Sequence, residues 1–330
     1  MEILESEGVS VEVGQEREDA GVPREKLLKE TRRSRVLLSL LTEAVDREVL
    51  GENPRLQGVA NMAVGFDNVD VAAATELGIP VSNTPGVLTD TTADFTWALL
   101  LAVARRVTEG DRYARDGRFR LWGPNLLVGG DVSPGGSGRR KVLGIVGFGR
   151  IGSAVARRAR GFDMDVRVHT RGGRERLGDA QGVRWAEWEE LLEESDFISL
   201  HLPLTPETRH LVGEPELRRM KETACLVNTA RGPVVDEAAL VRALREGWIG
   251  GAGLDVYEAE PELAPGLAKL DNVVLAPHIA SASRDTRDRM ATMAATNALH
   301  HLRGEPAPNP VNPEVYETEA WHHRRSLAEG

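Results

Sequence analysis

Short runs of β-branched and apolar residues alternate with stretches of helical periodicity along almost the whole chain. Val9–Val13, Arg35–Leu40, Val59–Ala63 and Ile79–Ser82 predict one series of strands. Val142–Val146, Val166–His169, Phe197–His201, Cys225–Asn228, Gly253–Val256 and Val273–Ala276 predict a second. Helical stretches fall between most of them, among them Ile151–Ala159, Glu187–Glu194 and Glu237–Glu246. Such alternation implies an α/β fold with parallel sheets covered by helices on both faces. A longer helix is expected from Thr91 to Arg106, with Asp90 as its N-cap and Asp94 in its first turn. It separates the two strand series and is placed to join two domains. Ser133–Gly138 reads as a surface loop by its glycine and serine content. The polar tail after Tyr316 reads as frayed.

The bulk composition narrows the function classes. A length of 330 residues suggests about two domains. With 41% hydrophobic and 28% charged residues the chain is expected to bury sizeable cores. A net charge of −10 repels a phosphate backbone, so nucleic acid is an unfavoured partner. Cys225 is the single cysteine, which excludes an intramolecular disulfide and fits a cytoplasmic setting. The first thirty residues carry no apolar signal-like stretch. The longest apolar run, Phe95–Ala104, is interrupted by Thr96 and too short to span a bilayer, so no membrane role is expected. No clustered Cys/His/Asp set suggests a metal.

Candidate chemistry begins at Val142–Gly152, which reads Val-Leu-Gly-Ile-Val-Gly-Phe-Gly-Arg-Ile-Gly. A predicted strand runs into Gly147-x-Gly149-x-x-Gly152 and then a helix. That is the context in which three glycines serve a dinucleotide: a tight turn, close approach to the pyrophosphate, and close packing of helix on strand. The helix N-terminus adds free N–H groups and a positive dipole end. NAD enzymes usually place an acid about 20 residues further on, to hold the ribose 2′-hydroxyl. Here Thr170 stands 18 residues after Gly152, followed by Arg171, with Arg174 close by. Without the acid, a 2′-phosphate is not repelled, and arginine offers it charge-assisted donors. NADP(H) is therefore the preferred cofactor on this reading, with NAD(H) possible.

Three further segments each follow or end a predicted strand: Asn228–Gly232, Gly253–Pro261 and Asn272–Ala280. They present Arg231, Glu260 and His278. An arginine, a carboxylate and a histidine suit reduction of an oxo acid, which needs an anion clamp, a group to polarise the carbonyl, a proton donor and a partner for the donor.

Together with the glycine motif, these segments make the chain resemble the D-isomer-specific 2-hydroxyacid dehydrogenases over nearly its whole length. Within that family it is most similar to glyoxylate/hydroxypyruvate reductases, through Asn61–Asn68 and Ser82–Asp94. The resemblance implies a Rossmann dinucleotide-binding domain and a flavodoxin-like substrate domain, with the active site in the cleft between them. It places the substrate domain at 1–90, completed by 285–330, and the dinucleotide domain at 91–284. It makes Arg231 the clamp on the substrate carboxylate and His278 the acid–base. Glu260 becomes the hydrogen-bond partner whose charge favours imidazolium. Glu258 is left out of this set. Backbone groups at Val64 and Gly65 would also bind the substrate. Gly147, Phe148, Gly149, Arg150, Ile151 and Gly152 would hold the pyrophosphate. Thr170, Arg171 and Gly172 would take the adenosine end, and Ala230, Asp255 and Ala280 the nicotinamide side. The substrate would be a small 2-oxo or 2-hydroxy acid. The loop carrying Trp122 would reach the partner subunit of a homodimer.

Two features depart from the family pattern. Ser133–Arg140 is longer than the usual turn before the Val142 strand. Relatives also begin with a strand and a long helix ahead of the segment matching Glu2–Val13, and lacking that interior strand would leave neighbouring edges unpaired. Two other readings remain open. One is a different activity of the same family, on 2-ketogluconate or phosphoglycerate. The other is a dinucleotide-sensing binding protein, like the family's transcriptional corepressors.

Overall fold

In the computed structural model, which describes every residue except Met1, Glu16, Glu18, Asp19, Asp179 and Gly330, the chain divides into two units. One comprises Met1–Leu88 and Ser283–Gly330, the other Thr89–Ala282.

The first unit opens with α1 (Glu2–Ser6) and α2 (Arg24–Thr31), then β1 (Val36–Ser39), α3 (Arg47–Gly51), β2 (Gly58–Asn61), α4 (Val71–Glu76) and β3 (Val81–Ser82). Its sheet has three parallel strands in the order β1-β2-β3. Asp46 and Asp70 start α3 and α4 as N-caps, accepting hydrogen bonds from Val49 N and Ala73 N. Val9–Val13 is not a strand, contrary to its alternating pattern. Val9 and Val11 pack instead against a cluster of Leu4, Ala60, Ala295 and Ala298, while Val13 is exposed. Alternation can describe a segment that buries one face without joining a ladder.

The second unit begins with α5 (Thr89–Ala104) and α6 (Val107–Arg115). The alternating series β4 (Val142–Val146), α7 (Arg150–Ala159), β5 (Asp165–His169), β6 (Val183–Trp185), α8 (Trp188–Glu194), β7 (Phe197–Leu200), α9 (Glu214–Arg219), β8 (Cys225–Asn228), α10 (Glu237–Glu246), β9 (Gly251–Leu254) and β10 (Val273–Leu275) follows. Seven parallel strands run in the order β10-β9-β8-β7-β4-β5-β6. β7, β8 and β9 are buried at every position, as expected for strands covered on both faces. Trp97 of α5 stacks on Phe162 at 4.5 Å and donates its indole N–H to Val155 O.

Two local expectations need correction here, and one strand was not expected. Asp90 lies inside α5, which starts at Thr89; its carboxylate pairs with Arg157 and Arg158. β9 starts at Gly251 rather than Gly253, and α5 packs so close there that a Cβ on Gly251 would stand 2.7 Å from the Val103 side chain. β6 escaped prediction, being a three-residue edge strand with an arginine at its centre.

The chain returns to the first unit as α11 (Arg284–Leu302) and α12 (Glu319–Glu329). The tail is therefore helical, not frayed. Trp321 is buried, and the Arg324 guanidinium donates to the carbonyls of Leu77 and Asn53. Gly78, at φ +70°, lets the Ala320 backbone approach where a Cβ would not fit.

Candidate active site

Because every strand of the second unit is parallel, all their C-terminal ends lie along one edge of the sheet, where doubly wound folds bind ligands. The glycine turn follows β4, Thr170 and Arg171 follow β5, Arg231 follows β8, Asp255 follows β9 and His278 follows β10. The order reverses between β4 and β7, the position of the switch-point crevice.

The residues of the glycine turn fit a pyrophosphate. Gly147 has φ +93°, and a Cβ there would meet His201 O at 2.4 Å. A Cβ on Gly152 would meet Gly147 O at 2.2 Å, so only glycine allows α7 to start this close to β4. Above Gly149 a Cβ would meet nothing within 4 Å, which leaves open space at the N-terminus of α7 beside Phe148, Arg150 and Ile151. Arg171 and Gly172 are exposed after β5, and Thr170 is half-buried.

His278 and Glu260 meet directly. The His278 Nδ1 lies 2.8 Å from Glu260 Oε2, and Glu260 Oε1 accepts a hydrogen bond from Tyr257 N at 2.9 Å. Burial pushes the Glu260 carboxyl up. The His278 hydrogen bond and charge, the Tyr257 N–H and the charge of Arg231 outweigh it and hold the group below the usual carboxylate range. His278 itself sits at φ +55°, in the left-handed region that costs a β-carbon residue strain. Asp255 grips this turn: its carboxylate accepts Ile279 N at 2.7 Å and Ala280 N at 2.8 Å, and its carbonyl accepts His278 N. Burial pushes the Asp255 carboxyl up despite those two N–H donors and His278.

The Arg231 segment is locked against the same loop. A Cβ on Gly232 would lie 1.8 Å from Tyr257 O, so the two backbones touch there. Asn228 shapes the turn, donating to Arg231 O and accepting from Ala230 N, and Arg231 Nη1 donates to Ala230 O. Glu258 points elsewhere, to His210 Nε2 at 2.6 Å.

Val64 and Gly65 belong to the first unit, in the loop after β2. Asn83 Nδ2 donates to Val64 O at 2.8 Å and Asn61 Nδ2 to Gly65 O at 2.9 Å. Asn61 and Asn83 lie in Asn61–Asn68 and Ser82–Asp94, but their role in shaping this loop is not readable from spacing. Asn228 and Tyr257 were likewise not singled out. Among the described residues, no group of three or more His, Cys, Asp or Glu is arranged to hold a metal ion, and no helix is long and apolar enough to cross a membrane.

Residues 97–280 match the D-isomer specific 2-hydroxyacid dehydrogenase NAD binding domain. Over 282 residues the chain is 57% identical to the glyoxylate reductase of Korarchaeum cryptofilum, covering 84% of this chain and 83% of that protein. The crystal structure of a Thermus thermophilus protein superposes with a TM-score of 0.85 at 47% identity, covering 94% of this chain and 95% of the other. An NADPH-dependent glyoxylate/hydroxypyruvate reductase from Sinorhizobium meliloti, solved with NADP and malonate, gives a TM-score of 0.74 at 35% identity, covering 86% of each chain. The chain belongs to the D-isomer specific 2-hydroxyacid dehydrogenases, oxidoreductases that use a nicotinamide dinucleotide.

Proposed function

We propose that this enzyme reduces glyoxylate and hydroxypyruvate to the corresponding 2-hydroxy acids with NADPH. The observation that carries the reading is the His278–Glu260 pair at 2.8 Å, on the sheet edge that also bears Arg231 and the glycine turn. When bound, the nicotinamide supplies the hydride. Arg231 holds the substrate carboxylate through its planar fork and polarises the carbonyl. With Nδ1 directed at Glu260, His278 gives its proton from Nε2 to the carbonyl oxygen, and Glu260 balances the charge of the imidazolium. Asp255 keeps His278 in its left-handed turn, beside Ala230 and Ala280 on the nicotinamide side. Gly147–Gly152 hold the pyrophosphate, and Thr170–Gly172 the adenosine end.

The names of the relatives support glyoxylate over the 2-ketogluconate and phosphoglycerate alternatives. Exposed Arg171, with Thr170 in place of an acid, supports NADPH over NADH. A charge-assisted pair to the 2′-phosphate contributes about 1.5–3 kcal/mol, or roughly tenfold to a hundredfold in affinity. Exposed Leu121 and Trp122 support a homodimer through this loop. The test is a panel of 2-oxo acids with both cofactors, for the parent and for Thr170→Asp/Arg171→Ala. The parent will favour glyoxylate or hydroxypyruvate with NADPH, and the double variant will favour NADH. Equal kcat/KM for both cofactors in the parent would remove the NADPH assignment.

A further inference from the structure

Glu260 stands on an excursion from the sheet edge between Glu258 and Ala264, closed on itself by Glu262 N donating to Ala259 O at 2.9 Å. Both ends of this excursion are held by one side chain from another element. Glu237, the first residue of α10, is 4% exposed. Its Oε1 accepts Glu258 N at 2.8 Å, and its Oε2 accepts Ala264 N at 3.3 Å. Its own backbone N–H donates to Glu258 Oε2 at 3.3 Å, making the contact reciprocal. Glu258 is in turn fixed by His210, whose backbone N–H donates to Pro233 O. A buried carboxylate facing two more carboxylates, Glu258 and Glu260, is a costly choice for a purely packing position, and that burial and charge push its carboxyl up. An apolar residue there would leave two backbone N–H groups without their acceptor.

We propose that Glu237 is a positioning residue for the reaction: it staples the two ends of the Glu258–Ala264 excursion so that Glu260 meets His278 at hydrogen-bond distance. This rests on the reading of His278 and Glu260 as the acid–base pair. Glu237 touches neither substrate nor cofactor in this scheme, and its effect passes through Glu260. Loss of either tie lets the Glu260 carboxylate drift, and a displacement of about 1 Å in a catalytic group can cost up to roughly a hundredfold in rate.

The experiment compares Glu237→Ala, Glu237→Gln, Glu260→Gln and the double variant Glu237→Ala/Glu260→Gln, by kcat for glyoxylate across pH and by thermal melting. Glu237→Ala is expected to lower kcat about ten- to a hundredfold with little change in KM for NADPH. It is also expected to displace the pH profile in the same direction as Glu260→Gln. The isosteric Glu237→Gln retains one acceptor and will fall between the parent and Glu237→Ala; it carries the same test if the alanine variant does not fold. The double variant will be no slower than Glu260→Gln alone to within about twofold, because the two act as one unit. If Glu260→Gln is slowed while folded Glu237 variants keep the parental kcat and pH profile, this inference is overturned and the acid–base reading stands. Multiplicative losses in the double variant, or a lowered melting temperature with an unchanged profile, also overturn it. Parental turnover by Glu260→Gln would remove the acid–base reading and this inference together.

Discussion

The two units reach a buried core by different routes. In Thr89–Ala282, strands and helices alternate in sequence order, seven strands stack in parallel, and the central ones are buried throughout. Among the described residues of the other unit three strands pair, β3 is two residues long, and β1 leaves Leu38 40% exposed. That smaller sheet is completed from the far end of the chain. Asn312 accepts Val81 N at 2.7 Å and donates to Ile79 O, while Arg324 donates to Leu77 O. In the larger unit, the candidate catalytic side chains stand on turns that directly follow the strands. The smaller one depends on contacts more than two hundred residues apart in sequence.

This contrast can be broken at several points. The largest effect belongs to the strand-end chemistry: His278→Ala will cut kcat by roughly two to four orders of magnitude, with dinucleotide affinity and melting temperature near the parental values. Steady-state kinetics and a binding titration check it, and near-normal turnover would move the proton donor elsewhere. In the smaller unit, Asn312→Ala acts oppositely. It strips an acceptor from buried Val81 N and a donor from Ile79 O, at a cost of about 1–3 kcal/mol per unmade bond, and leaves kcat per folded molecule unchanged. Chemical denaturation with an activity assay on the folded fraction separates these outcomes.

An effect confined to acid pH comes from His301, 1% exposed between Gly58 and Ser82, whose burial lowers its pKa to about 3. The folded state keeps this imidazole neutral, whereas the unfolded chain protonates it below its ordinary 6.5. The unfolded state then binds the extra proton, so stability falls as pH drops from 6.5 toward 3, by at most about 1.4 kcal/mol per pH unit. His301→Gln will flatten that acid slope, as read by melts at several pH values. An unchanged slope would place the acid sensitivity in other groups.

Legibility followed the same division. The glycine turn and the segments bearing Arg231, Glu260 and His278 could be found because each marks a local change of pattern where a strand ends. The strands of the larger unit were readable as apolar runs for the same reason, apart from the short edge strand at Val183. What joins these segments was not readable. The Glu237 carboxylate on two distant N–H groups, the Asp255 grip on a left-handed histidine and the Gly232–Tyr257 contact depend on three-dimensional approach, which no spacing encodes. In the smaller unit, Val9–Val13 carried a strand pattern without forming a strand. The tail looked too polar to order, yet it docks through Trp321 and the Arg324 hydrogen bonds to carbonyls. One-sided burial and backbone carbonyls as partners leave little trace in hydropathy.

The central claim is that the strand-end arginine, carboxylate and histidine carry out 2-oxo acid reduction. Its most direct test is NADPH oxidation on addition of glyoxylate, followed side by side for the parent and Arg231→Lys. A lysine keeps the charge but not the two-donor fork that meets a carboxylate. The expected result is steady turnover by the parent, and a raised KM with a lowered kcat in the variant. Absence of glyoxylate-dependent oxidation by the parent, or identical kinetic constants for the two proteins, would contradict it.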